Sequence, residues 1–313
     1  MLNNMAVASP LSHDPVLPVE MTERRPNGES HGPSSFRKTW LAPAILGVLL
    51  VILYHRVAIK LVSDWLNIPD LGYGLLIPFF VLFLIWDKRA VLRSTPLRPS
   101  WSGMSLVLPG FLILFVGVFG ADLFLSRISF VILVAGLIWT LLGKPMLGQS
   151  KFMLFVFLLA IPLPTLVMNQ ITFPLQIMAS KFASGLLELV HVPVLREGNV
   201  IQLPAMQLEV AEACSGIRSL MSLFTVAVIY GYFLERSIAR RVILTLAAVP
   251  IAVAANAARI FGTGLCVQYW DPDKALGFFH EFSGWLIFLV SLSLLYLVHH
   301  AMRLVMRRRE VAA

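Results

Sequence analysis

The chain has 313 residues, 58% hydrophobic and 13% charged, with a mean hydropathy of +0.81. Soluble domains run near 45–50% apolar and about 25% charged, and an aqueous fold of this size could not hide so much apolar surface, so a soluble globular protein is excluded. The formal net charge of +8 does not point to nucleic acid, because the basic residues sit in short clusters between apolar runs, as topology signals do. The sequence reads as an all-α, polytopic integral membrane protein.

Residues 1–36 carry Pro10, Pro15, Pro18, Pro26 and Pro33 with little apolar periodicity. They read as a disordered cytoplasmic tail, and no cleavable signal peptide is visible in them. The first spanning helix would then serve as an uncleaved signal. Apolar stretches follow at about 40–58, 71–87, 103–120, 125–142, 152–168, 215–234, 241–266 and 282–302. Each is near the ~20 residues a helix needs to cross roughly 30 Å of hydrocarbon. Backbone groups in lipid must be satisfied within the segment, which predicts about eight transmembrane helices. The 71–87 and 152–168 stretches are short or interrupted by Pro78, Pro162 and Pro164. The membrane domain is expected over 37–306, with catalytic helices in 214–302 and a basic cytoplasmic tail at 307–313.

Lys and Arg set the orientation. With eight spans, one side receives Arg37, Lys38, Lys88, Arg89, Arg93, Arg98, Lys144, Lys151, Arg236, Arg240, Arg241, Arg303, Arg307, Arg308 and Arg309. The other receives Arg56, Lys60, Arg127, Lys181, Arg196 and Lys274. Fifteen against six places both termini in the cytoplasm.

The outer segment 169–213 is the longest connection. From Phe173 to Val190, apolar residues recur every three to four positions at Phe173, Ile177, Met178, Phe182, Leu186 and Leu189. Ser180, Lys181, Ser184 and Glu188 fall between them, a pattern that suits an amphipathic helix lying on the membrane surface. Gly198, Asn199 and Pro204, between short β-branched runs, predict a small outer hairpin or extended cap.

Three polar residues stand out by their depth. Cys214 lies at the outer start of the sixth span. Arg259 is seventeen residues beyond Val242 in the seventh, about 26 Å up the helix axis and so in the outer leaflet. His280 lies at the outer start of the eighth. A thiol, a guanidinium and an imidazole thus reach similar depth on one face. The chemistry such a set supports is acyl transfer. A thiolate is the nucleophile, and a helix N-terminus lowers a thiol's pKa. A histidine can take its proton and later protonate the leaving amine. An arginine supplies donors to the oxyanion on the attacked carbonyl.

Accessory groups surround them. Arg218, four residues after Cys214, faces the same side of that helix and could lower the thiol pKa or bind a carboxylate. Asn256, three residues before Arg259, could orient it or bind substrate backbone. Glu212 and Ser215 flank the thiol, and Ser215 is a rival nucleophile without a distinct helper. Bland readings stand beside these: Cys214 as a small buried hydrophobe, His280 as a solvated interfacial residue, Arg218 as a snorkelling group. For Arg259 the bland reading is an ion pair with a helix neighbour or snorkelling, but it is harder to dismiss, because an ionisable group within a span is costly and usually functional. Cys266 reads as inert, although its outer location would allow a disulfide with Cys214. His280-Glu281 lacks a second histidine at helical spacing, so a zincin site is not supported, and no metal or organic cofactor is indicated.

The block Glu212-Ala213-Cys214-Ser215-Gly216-Ile217-Arg218-Ser219-Leu220, then Asn256…Arg259-Ile260, then Gly277…His280…Gly284-Trp285, closely resembles the exosortase/archaeosortase family. Gly74-Leu75-Leu76-Ile77-Pro78 extends the likeness, which covers most of 40–302. The resemblance implies an eight-span fold and a catalytic set of Cys214, Arg259 and His280. It implies substrates among exported proteins with a C-terminal sorting signal, made of a short motif such as Pro-Glu-Pro, a transmembrane helix and a basic tail. Cleavage would pass through a Cys214 thioester to an acceptor, in the bacterial inner membrane with the site facing the periplasm. Exopolysaccharide machinery would be a further partner, alongside the lipid bilayer itself. Many relatives carry a polar residue or histidine where this chain has Tyr73, which bears on subtype. The competing classes are a non-enzymatic transporter or polysaccharide-assembly subunit, and an intramembrane hydrolase with water as acceptor. Transporters place polar groups along a mid-membrane path, whereas here they gather at the outer end.

Overall fold

The computed structural model describes residues 33–210, 216–270 and 278–312, with side chains over 44–210, 218–270 and 282–305. The chain divides into two units, Met1–Val48 and Leu49–Ala313. Of the first, the described part is helical; everything below concerns the second.

The helices are α1 (Pro33–Asn67), α2 (Leu76–Asp87), α3 (Arg89–Ser94), α4 (Met104–Phe119), α5 (Leu123–Leu142), α6 (Lys144–Leu159), α7 (Thr165–Leu189), α8 (Gly216–Leu234), α9 (Ile238–Tyr269) and α10 (Phe278–Ala312). Short 3-10 turns at Pro69–Leu75 and Trp101–Gly103 lead into α2 and α4. Among the described residues, six segments are long and apolar enough to cross a membrane: Ala44–Asn67, Pro69–Asp87, Trp101–Phe119, Leu123–Leu142, Ile238–Tyr269 and Phe282–Val305. Arg218–Leu234 is a shorter apolar helix. Large apolar side chains such as Val51, Phe79, Leu112 and Ile243 are exposed along these helices, as expected where lipid is the solvent. The protein is an all-α, multi-pass membrane protein.

The fifth expected span differs from its prediction. Instead of 152–168, α6 covers Lys144–Leu159 and α7 starts at Thr165. Pro162 and Pro164 explain the break, since each lacks an N–H and turns the preceding residue away from helical backbone. At 16 residues, α6 is only about 24 Å long, less than the hydrocarbon core.

Segment 173–190 is helical as expected, as part of the longer α7. In α7 the buried residues include Thr172, Gln176, Ser180 and Ser184. The apolar side, with Phe173, Met178, Phe182, Leu186 and Leu189, is exposed. Lys181 and Glu188 stay exposed, while the buried side of small and polar residues packs on α9. Small residues allow the approach: a Cβ built on Gly264 would stand 3.0 Å from Leu187.

The outer cap forms a three-stranded antiparallel sheet, β1 (Leu195–Glu197), β2 (Val200–Gln202) and β3 (Gln207–Glu209), in the order β1-β2-β3. Gly198, at φ +64, makes the first turn, a conformation open to glycine. Ile201 and Leu208 alternate inward and join Ala183, Leu187, Ala257 and Ile260 in one apolar cluster, so the cap is fastened to α7 and α9.

A second cluster joins α8, α9 and α10 through Leu223, Ala227, Leu244, Ala248 and Leu295. A third joins α1, α2 and α6 through Leu61, Trp65, Ile77, Leu84 and Val156. Within it, Gly74 leaves space that a Cβ would take from the Trp65 indole. Trp65 Nε1 in turn donates to the Ala160 carbonyl at 2.9 Å. The glycine of the Gly74-Leu75-Leu76-Ile77-Pro78 motif therefore has a packing role. Tyr73 packs at the edge of the same cluster.

Charges group by packing as well as by sequence. Lys88 and Arg241 both lie over the Tyr232 ring, at 4.9 and 4.8 Å. Arg98 pairs by backbone with Gly143, next to Lys144. Arg127 and Lys60, two of the six cations expected on the opposite side, both bind the buried Asp64 carboxylate.

Candidate functional site

Helix α9 is the spine of the candidate site, with α7, α8 and α10 packed around it. Its buried face carries Ala252, Val253, Ala255, Asn256, Ala257, Arg259 and Ile260. The run of alanines keeps this face narrow, so neighbouring helices come close and enclose two polar side chains. Asn256 is 7% exposed and Arg259 is 9% exposed.

Arg259 reaches α10. A Cβ built on Gly284 would stand 3.2 Å from Arg259 Nη2, so the guanidinium rests against the α10 backbone where no side chain intervenes. Gly284 is four residues, one helical turn, beyond His280. The guanidinium thus lies against the backbone of α10 one turn beyond His280. The imidazole itself lies outside the described side chains. Cys214, Glu212 and Ser215 lie outside the described residues.

Arg218, in the first turns of described α8, is half exposed and its Nε donates to Asp70 Oδ1 at 3.3 Å. Asp70 belongs to the 3-10 turn before α2. Arg218 thereby links the start of α8 to the turn that leads into α2. An ion pair this exposed contributes little stability, about 0–1 kcal/mol. Cys266 is a free thiol, partly buried against the cluster of α7, α9 and the sheet.

Below Arg259 on the same face lies a small cavity lined by Thr172, Leu175, Gln176, Leu220, Ala252, Val253 and Asn256. Three helices meet there: α7 brings Thr172 and Gln176, α8 brings Leu220, and α9 brings Asn256. Sequence reasoning missed Thr172 and Gln176. The signal was present as a polar stripe at every fourth position, Thr172, Gln176, Ser180 and Ser184. In the fold this stripe is buried.

The opposite end of the α8, α9 and α10 bundle holds a second polar group. Glu235, 3% exposed, uses both carboxylate oxygens: Oε1 lies 2.8 Å from His299 Nε2 and Oε2 lies 3.2 Å from Arg240 Nη1. His299 Nδ1 meets the Tyr230 hydroxyl at 2.8 Å. Arg241 Nε donates to the Glu235 carbonyl at 2.7 Å. With Nε2 donating to Glu235, a neutral ring accepts the Tyr230 proton at Nδ1. The network clamps the α8–α9 turn onto α10.

A sequence model of the transmembrane exosortase family (Exosortase_EpsH) matches residues 65–297, well over half of the chain. Searches of curated proteins and of solved structures return no match.

Proposed function

The chain belongs to the transmembrane exosortase family, and on that premise we propose that it is a membrane-embedded cysteine transpeptidase or protease acting on C-terminal sorting signals of exported proteins. Cys214, as thiolate, attacks the scissile carbonyl and a C–S bond forms. The negative charge that develops on the carbonyl oxygen faces Arg259. His280 takes the thiol proton and gives it to the leaving amine as the C–N bond breaks. The resulting thioester is released by an acceptor amine or by water, with thiolate as leaving group.

The observation that carries this reading is Arg259. It is 9% exposed inside a spanning helix, where a charge is retained only for a strong reason, and it rests against α10 one turn from His280. A donor held in such a dry place stabilises developing charge far more than the same donor in water. Asn256, one turn deeper, binds substrate backbone or orients Arg259. Arg218 is an accessory group near the entry. In this reading both termini are cytoplasmic, in a bacterial inner membrane, with the reacting groups at its periplasmic face; the excess of basic residues on one side supports that orientation. A substrate with a single spanning helix would pack laterally on the bundle and bring its Pro-containing motif to that rim.

The test is co-expression with a sorting-signal substrate from the same genome. Wild type is expected to shorten the substrate; Cys214→Ala is expected to leave it whole while still inserting in the membrane. Equal shortening by both would remove Cys214 as nucleophile. Product mass separates the two fates of the thioester: added mass on the new C-terminus means transfer, and a free carboxylate means hydrolysis.

A further inference from the structure

A groove of about 310 Å³ lies between α6, α8 and α9. Pockets that take small molecules run ~300–1,000 Å³. Phe155 of α6, Phe224 and Val228 of α8, and Val242 and Leu246 of α9 make its walls apolar. Phe155, Val242 and Leu246 are exposed, so the groove opens toward lipid. Tyr232 and Arg241 line it near the α8–α9 turn, while Phe224 and Leu246 line it deeper in the helices.

The end near the turn is built for negative charge. Arg241 Nε donates to the Glu235 carbonyl at 2.7 Å, and its guanidinium lies 4.8 Å from the centre of the Tyr232 ring. That holds the group in place and leaves its two terminal nitrogens with donors to spare. Lys88 brings a second cation to within 4.9 Å of the same ring. Phe152 stacks on that ring, 3.5 Å between centroids. The first residue of α9, Ile238, also lines the groove. The Ser237 side chain does not cap this helix and no acid lies in its first turn, so its leading N–H groups favour an anion. Two acids are near in sequence. Glu235 turns its carboxylate to His299 and Arg240. Asp87 is exposed beside Lys88 and is outnumbered by Lys88, Arg236 and Arg241.

We propose that this groove binds one anionic phospholipid, its phosphate on Arg241, Lys88 and the start of α9 and an acyl chain between α6, α8 and α9. An apolar slot with a fixed cation at its mouth selects such a ligand. A free phosphate would leave the slot unused, and a zwitterionic lipid would bring a cation to a cationic rim. The helix of a sorting signal is the poorer occupant, because its basic tail would meet like charge. In the orientation proposed above this is the cytoplasmic leaflet, where anionic headgroups attract basic residues. Arg241 is eighteen residues, about 27 Å along α9, from Arg259, so the lipid stands apart from the proposed chemistry. It fills the space between α6 and α9 and ties the two halves of the bundle together.

Native mass spectrometry of the full-length protein tests this. Phosphatidylglycerol and phosphatidylcholine with the same acyl chains would be titrated separately. One phosphatidylglycerol is expected to bind roughly 10-fold more tightly than phosphatidylcholine, the effect of hydrogen bonds to a charged group. Arg241→Gln should abolish that preference and Lys88→Gln should reduce it. Val242→Trp fills the groove and leaves every charge in place, and it should abolish tight binding as well. Should Arg241→Gln not yield folded protein, the other two variants decide. Equal affinity for the two lipids would mean only a general lipid coat and overturns the site. A preference that survives in Val242→Trp would mean only surface attraction between charges and overturns it too. So does inorganic phosphate that binds as tightly as the lipid, or a sorting-signal helix peptide that displaces it, which would assign the groove to the substrate.

Discussion

The two ends of the α8, α9 and α10 bundle treat buried polar groups in opposite ways. At one end Glu235, His299, Tyr230, Arg240 and Arg241 satisfy one another. At the other, Asn256 and Gln176 border a cavity with no partner among the described residues, beside Arg259 lodged against Gly284. A closed network in a low-dielectric interior holds a fold together. Carboxamides beside a cavity can instead pair with whatever occupies it, a water included. The contrast fits the proposed function, with a structural network at one end and the proposed chemistry at the other.

Substitutions can break or sharpen that contrast. Arg259→Ala should have the largest effect. Substrate processing should fall about 10²- to 10³-fold, the range for loss of an oxyanion donor, while the amount of protein in the membrane holds. Glu235→Ala should do the reverse. It leaves His299 and Arg240 without their shared partner, at about 3 kcal/mol of stability, read as earlier thermal unfolding in detergent. Processing per folded molecule should stay near that of wild type. Gly284→Ala is subtler. The new methyl would sit 3.2 Å from Arg259 Nη2 and press the guanidinium away from its seat, with a loss in processing of roughly 10-fold and little change in stability. Arg218→Ala should be the mildest, because it removes only the half-exposed pair with Asp70. A change of about 0–1 kcal/mol in stability is expected, and a larger loss of processing would place Arg218 closer to the substrate.

Much of this was legible in the sequence. Span positions followed from runs of apolar residues, because helix length and bilayer thickness are fixed quantities. Pro162 and Pro164 marked the break that separates α6 from α7, but not the side of the break on which the helix would lie. Arg259 stood out because a charge among alanines and isoleucines has few innocent explanations. The periodicity of α7 was visible, but periodicity gives a face and not what the face meets: Ser180 and Ser184 are buried while Lys181 and Glu188 stay exposed. Gly284 had only a motif position until Arg259 was seen resting on it. The cap's short strands were visible as turn residues, but pairing and register depend on the α7 and α9 surface beneath.

The central claim is that Cys214, His280 and Arg259 share one pocket, and the reactivity of Cys214 reports on it directly. Alkylation of the full-length protein by iodoacetamide at neutral pH would be followed by mass spectrometry, with Cys266 as the internal reference. Removing a neighbouring base or cation raises a thiol's pKa and slows its alkylation. His280→Ala and Arg259→Ala should therefore each slow Cys214, by roughly 10-fold for the histidine, with Cys266 unchanged. A Cys214 rate that is the same in wild type and both variants would contradict the shared pocket.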